Sequence, residues 1–240
     1  MAYKVKYSEG KPLNANPNFL AIEGKWEKIF KKLPRRFLMI VYGESASGKT
    51  EFVHQFSQHL KKFGRGAWIS YEQGHGEDLD DAIRRNEIKG GQKIAYVHPQ
   101  RDKEQTLFDG LINFLSNRKS PEFIYIDSVD KLRLTVEQWD ILLEKFGKKK
   151  SFVFISHEKN GEPATRAAIE IKYEAMYWAR IRLKVAHFVK NRFGNECIYV
   201  IHEEGARGYW QNKKYFDKVD GIEEKKEGAR NNCNMEIIIN

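Results

Sequence analysis

The sequence predicts an α/β protein, a three-layer sandwich with a mostly parallel central sheet, helices on both faces and a C-terminal antiparallel strand pair. Two observations carry this. Apolar, β-rich runs alternate with amphipathic stretches along most of the chain, and strand–helix alternation closes as a parallel sheet covered by helices. The last two apolar runs follow each other across 191–196 with no helical stretch between them, which suits an antiparallel return.

The apolar runs fall at 37–42, 67–71, 93–97, 123–126, 152–155, 182–189 and 197–201. Helical periodicity falls between the early ones, at 50–63, 77–87, 104–117 and 137–146. A further helix is expected over 20–32, where Ile22, Trp26, Ile29 and Phe30 recur at helical spacing before Pro34 stops the pattern. Residues 1–18 read as an extended arm able to lie on a neighbouring subunit, 19–215 as one core, and 216–240 as a solvated or disordered tail.

With 240 residues and 41% hydrophobic content the chain can bury a full single core. No apolar stretch approaches a membrane span, and the first ten residues lack a signal-peptide apolar region. A cytoplasmic protein without membrane contact is therefore expected. Cys197 and Cys233 are too few for a disulfide framework or a four-ligand zinc site, and Cys197, inside an apolar run, is expected to be buried. A net charge of +9 favours a polyanionic partner, although many basic proteins never bind nucleic acid. The basic zones at 4–36 and 148–150 read as solvated faces that steer at most.

The most specific signal is Gly43, Glu44, Ser45, Ala46, Ser47, Gly48, Lys49 and Thr50, followed by Glu51, between an apolar strand and an amphipathic helix. This is the P-loop pattern in its proper context. Its glycines let consecutive N–H groups turn toward a phosphate, and the helix N-terminus adds partial positive charge. Lys49 then meets the β- and γ-phosphates of ATP, and the Thr50 hydroxyl ligates Mg2+.

A magnesium site needs a carboxylate at the end of another strand, and Asp127 after 123–126 supplies one; the alternative is that it caps the turn that follows. Glu72, at the tip of 68–71, is a candidate for orienting the attacking water, or else a surface carboxylate.

Together the P-loop, Ser70-Tyr71-Glu72, Ile126-Asp127-Ser128, Ser156-His157 and Lys190-Asn191-Arg192-Phe193-Gly194 resemble the RecA superfamily of ATPases, more closely the branch of RadA and the DnaB-type replicative helicases. The resemblance spans 37–201. It implies that Glu72 is the catalytic glutamate and that His157 senses the γ-phosphate. It also implies that Lys190 and Arg192 reach a neighbour's ATP in a ring or filament, as an arginine finger does. Without it, His157 is a strand-end cap and the two cations are exposed residues of a hairpin. The chain departs from RadA in lacking a cysteine-based zinc module and a protease-like domain, and from the helicases in lacking a separate N-terminal domain. It is close to a bare core, like the small RecA-like ATPases of phages and mobile elements.

In such folds two loops line the path of DNA. Here they are 129–135, with Lys131 and Arg133, and 157–172, with Lys159, Asn160, Arg166 and Lys172; Gly161 and Pro163 suggest that the second is mobile. These cations suit sequence-tolerant, salt-sensitive binding of single-stranded DNA. Tyr173 and Tyr177 stack bases or pack on the core, and packing is the favoured reading. The expected activity is DNA-dependent ATP hydrolysis serving recombination or strand annealing. Its rivals are a helicase-like ring motor or helicase loader, a P-loop phosphotransferase, and a nucleotide-switched assembly protein that does not act on DNA.

Overall fold

The computed structural model describes residues 18–72, 93–99, 104–210 and 236–239. The expected arm up to residue 17, the helix expected at 77–87 and most of the tail lie outside these residues.

Phe19–Leu20 (β1) pairs antiparallel with Leu33–Pro34 (β2), and the short helix Lys25–Phe30 (α1) lies between them in the chain. The helix expected over 20–32 is thus shorter at both ends. Gly24, at a positive φ of 63°, breaks its start, and Leu33 and Pro34 are taken by strand pairing.

The main strands are Leu38–Gly43 (β3), Gly66–Ser70 (β4), Ile94–Val97 (β5), Phe123–Asp127 (β6), Ser151–Lys159 (β7), Tyr177–Arg182 (β9), Val185–Asn191 (β10), Cys197–Val200 (β11) and Glu236–Ile239 (β12), with Glu162–Pro163 (β8) paired to β7. They lie in the order β12-β11-β10-β9-β3-β7-β6-β4-β5. From β9 to β5 every pairing is parallel, while β10 runs antiparallel to both β9 and β11. Strand β3 lies between β7 and β9, and all six of its residues are buried. That is why its sequence is a continuous apolar run rather than an alternation.

Helix Lys49–Leu60 (α2) joins α1 on one face, with Phe52, Val53, Phe56 and Leu60 fully buried. Each such side chain contributes about 1.5–3 kcal/mol. Leu107–Ser116 (α3), Val129–Leu132 (α4), Val136–Phe146 (α5) and Arg166–Glu174 (α6) cover the other face through Leu111, Leu132, Trp139, Leu142 and Ile171. Glu203–Trp210 (α7) closes over β10 and β11, where Ala206 meets Val185, Ile198 and Val200. Cys197 is buried, as expected. Among the described residues no helix is long and apolar enough to cross a membrane.

Three expectations change. The run 182–189 is not one strand, because β9 turns into β10 at Leu183 and Lys184, both left-handed. The segment 157–172 is not a long loop. It is a tight hairpin, β7–β8, turning on Asn160 and Gly161 at positive φ, followed by α6 capped by Thr165. Residues 236–239, assigned to the tail, add a parallel strand beside β11.

Candidate nucleotide-binding site

The chain leaves β3 at Gly43, flanked in register by His157 of β7 and Ile181 of β9. A Cβ on Gly43 would stand 2.1 Å from the Ile181 carbonyl oxygen, so only glycine fits. Ala46 and Gly48 take positive φ values of 58° and 110°. Gly48 caps α2 without any side-chain acceptor, whereas Thr106, Thr135 and Thr165 each accept a backbone N–H at their own helix starts. The first N–H groups of α2 are thereby left for an anion. Ser47 Oγ is buried in the same loop with no hydrogen-bond partner, which also suits a ligand with acceptor oxygens.

Lys49 is only 7% exposed and donates to the carbonyls of Gly43 at 3.0 Å and Glu44 at 2.7 Å. Burial lowers its pKa, opposed by the carboxylates of Asp127 and Glu72. Thr50 Oγ1 donates to Asp127 Oδ2 at 3.3 Å, although β7 separates β3 from β6 in the sheet. Burial, and next the charge of Glu72, pushes the Asp127 carboxyl up to about 6. Asp127 is not the cap of the following turn, since Ser128 fills that role for α4.

The Asp127 carbonyl accepts the N–H groups of Tyr71 at 2.6 Å and Glu72 at 3.3 Å, which ties the end of β4 to β6 and aims Glu72 into the site. The Glu72 carboxylate meets His157 Nε2. Asp130, which the sequence reading passed over, anchors the other side of His157: it accepts from the His157 N–H at 2.6 Å and from Ser156 Oγ at 3.0 Å. Its signal was a second acid three residues after Asp127, inside a serine-capped turn. Glu158 was missed as well; it pairs with Arg180 and Arg182, which alternate along β9 beside the loop.

Magnesium takes hard oxygen ligands and commonly uses one or two protein groups plus phosphate and water. Thr50 and Asp127, side by side, fit that requirement.

Lys190 and Arg192 lie elsewhere. Asn191 pairs with Tyr177, the first residue of β9, so both cations stand at the opposite edge of the sheet, about 15–20 Å from the loop by strand rise. Lys190 Nζ donates to the Tyr173 carbonyl, and Arg192 lines a cavity of about 150 Å³ with Arg36, Lys150 and Glu174.

Lys131, Arg133, Lys159 and Arg166 are exposed; Lys131 and Arg133 follow the end of β6 and Lys159 is the last residue of β7, at the same edge as the loop. Arg166 shares a groove with Glu137. Lys172 is a correction, because its ammonium is buried over the Trp178 ring at 4.5 Å and pairs with Glu162 at 2.5 Å. Lys150 likewise is no solvated charge, being 8% exposed and bonded to Ser120 Oγ and the Pro121 carbonyl. Tyr177 packs in the core while Tyr173 is 67% exposed.

A phosphate-type loop between strand and helix, at the carboxyl edge of a parallel sheet with acids from two further strands, is the arrangement of a P-loop ATPase-type fold. No protein-family model matches the chain, and no curated protein matches its sequence. Among solved structures, the flagellar accessory protein FlaH from Methanocaldococcus jannaschii matches with a TM-score of 0.57 and 14% identity, over 78% of this chain and 96% of that one. At that identity the likeness speaks for the fold alone, and the fold is RecA-like.

Proposed function

We propose that this chain is a magnesium-dependent ATP hydrolase that works as an oligomer and responds to single-stranded DNA. The observation that carries the reading is the convergence of Lys49, Thr50, Asp127 and Glu72 on one edge of the sheet. Lys49 binds phosphate oxygens as a point charge. Thr50 and Asp127 hold magnesium, which when bound neutralises phosphate charge. Glu72 orients the attacking water and takes its proton, while His157 holds the Glu72 carboxylate in place.

Lys190 and Arg192 are too far from their own loop to touch its nucleotide, so in this reading they serve a neighbouring copy in a ring or filament. The Lys190-to-Gly194 run supports placement in the RadA and helicase branch, with recombination or annealing as the process. Lys131, Arg133 and Lys159 supply cations for DNA phosphates.

A second reading is a nucleotide-switched assembly protein that does not act on DNA. It is favoured by the withdrawal of Lys172 from the surface and by the position of Arg166 beside Glu137, which thin the basic set.

Steady-state ATP hydrolysis at several protein concentrations, with and without single-stranded DNA, separates the readings. Turnover that rises with DNA and with protein concentration, and collapses in Arg192→Ala, supports the first. Oligomers that form with ATP but bind no oligonucleotide at low salt support the second. Absence of any ATP binding overturns both.

A further inference from the structure

The turn between β9 and β10 is made by residues poorly suited to it. Leu183 (φ 48°) and Lys184 (φ 63°) both occupy the left-handed region, where a two-residue hairpin ordinarily uses asparagine or glycine. Such conformations persist where the surroundings over-determine them. Here the surroundings are the phosphate loop. The Lys184 N–H donates to the Ser47 carbonyl at 2.9 Å, and Lys184 Nζ donates to the Ala46 carbonyl at 3.1 Å. The Lys184 carbonyl in turn accepts from Ile201 N–H at 2.8 Å, and Gln55 of α2 donates to the Ile201 carbonyl at 2.9 Å. Lys184 Cδ also stands 3.1 Å from the point a Cβ on Gly48 would occupy.

One residue from outside the loop thus holds two consecutive loop carbonyls. A loop that binds an anion through its N–H groups must send the carbonyls of the same peptides the other way. Ala46, a non-glycine at positive φ, has no intrinsic preference for that arrangement. An outside donor on the Ala46 and Ser47 carbonyls removes the alternative in which a peptide flips and presents its oxygen to the phosphate. Pre-organisation of this kind raises affinity by cutting the cost of ordering on binding.

We propose that Lys184 is a positioning residue of the phosphate site, keeping the loop in its anion-receiving form from the neighbouring hairpin. The proposal rests on the nucleotide-binding reading above. It also makes Lys184 part of the site, although that residue lies outside the motif that announces it.

The test is titration of a fluorescent ADP analogue with magnesium into wild type, Lys184→Asn, Lys184→Arg, Leu183→Asn and Lys49→Ala, with melting temperatures measured alongside. Lys184→Asn keeps the backbone donor and tolerates positive φ, so only the ammonium is lost. We expect it to bind roughly tenfold more weakly, the loss of one charge-assisted hydrogen bond, mainly through faster dissociation. Its nucleotide-free melting temperature should hold while the nucleotide-induced rise shrinks. Lys184→Arg should recover most of the affinity, and Leu183→Asn should bind as wild type does.

Wild-type affinity in Lys184→Asn, with binding lost in Lys49→Ala, overturns the proposal and leaves the nucleotide reading standing. Equal losses in Leu183→Asn and Lys184→Asn also overturn it, because the turn and not the ammonium is then responsible. A wild-type protein that binds no analogue overturns the nucleotide reading and this proposal with it.

Discussion

His157 Nε2 lies 3.0 Å and 3.1 Å from the two carboxylate oxygens of Glu72, so one imidazole spans the whole carboxylate. The two residues come from strands separated by β6, and Asp130 fixes the backbone of His157 from behind. In the proposed mechanism they act as one unit. Glu72→Gln should lower single-turnover ATP hydrolysis by about 100-fold or more, the usual worth of a general base, with ADP affinity nearly unchanged. His157→Ala should cost about tenfold, and the double variant should be no slower than Glu72→Gln alone, since groups acting together are non-additive. Losses that multiply would show His157 acting on its own.

Asp127 yields a pH prediction whose sign follows from its environment. Burial, with Glu72 close by, raises its folded pKa to about 6 from an ordinary 3.8. The stabilising contribution of the protonated form is therefore complete below about pH 4 and lost as pH climbs through about 6. A shift of this size corresponds to roughly 3 kcal/mol. Without nucleotide or magnesium, Asp127→Asn should be more stable than wild type by a few kcal/mol at pH 7.5, and the gap should close near pH 4. Urea unfolding at the two pH values reads this directly. A variant less stable at pH 7.5 would mean that attraction to Lys49 outweighs the burial cost.

Gly43 and Gly110 predict opposite responses to the same substitution. An added methyl on Gly43 meets a backbone oxygen that cannot move aside without breaking the β3–β9 pairing. Gly43→Ala should lose about 3 kcal/mol or more. Gly110, inside α3, has nothing within 4 Å of its Cβ position, and alanine suits a helix interior better. Gly110→Ala should gain about 0.5–1 kcal/mol. Denaturant midpoints of both variants decide the matter.

Lys172 and Lys159 separate burial from the phosphate contact that the proposed DNA binding requires. Lys172 is enclosed by Trp178, Tyr42 and Glu162, while Lys159 is exposed at the end of β7. Lys172→Gln should lower stability by about 1–2 kcal/mol, because it leaves a buried polar group poorly paired. It should leave the salt dependence of oligonucleotide binding as it was. Lys159→Gln should do the reverse, lowering the slope of log K against log salt by about one. Fluorescence anisotropy across a salt series, beside thermal melts, measures both.

Much of the architecture was legible because its signals are local. A strand buried on both faces must be apolar throughout, so β3, β4, β6 and β7 announce themselves, and a P-loop must be contiguous, so Gly43 to Thr50 could be read directly. The Asn160-Gly161 pair is an equally local hairpin signal, and it outweighs the mobility that Gly161 and Pro163 suggest. Leu183 and Lys184 carried no turn signal. What holds the turn there is Lys184, whose hydrogen bonds run to Ser47 and Ala46, residues more than a hundred positions away.

Residue types and short spacings were thus enough to name the phosphate loop, the acid at the end of β6 and the parallel sheet, because each is set by chemistry within a few residues. Which groups meet depended on the order in which strands pair. Placing β7 between β3 and β6 brings His157 to Glu72, and reversing the chain at Leu183 and Lys184 carries Arg192 to the far edge. That order minimises exposed apolar surface over the entire sheet, a balance that no single segment of the chain contains.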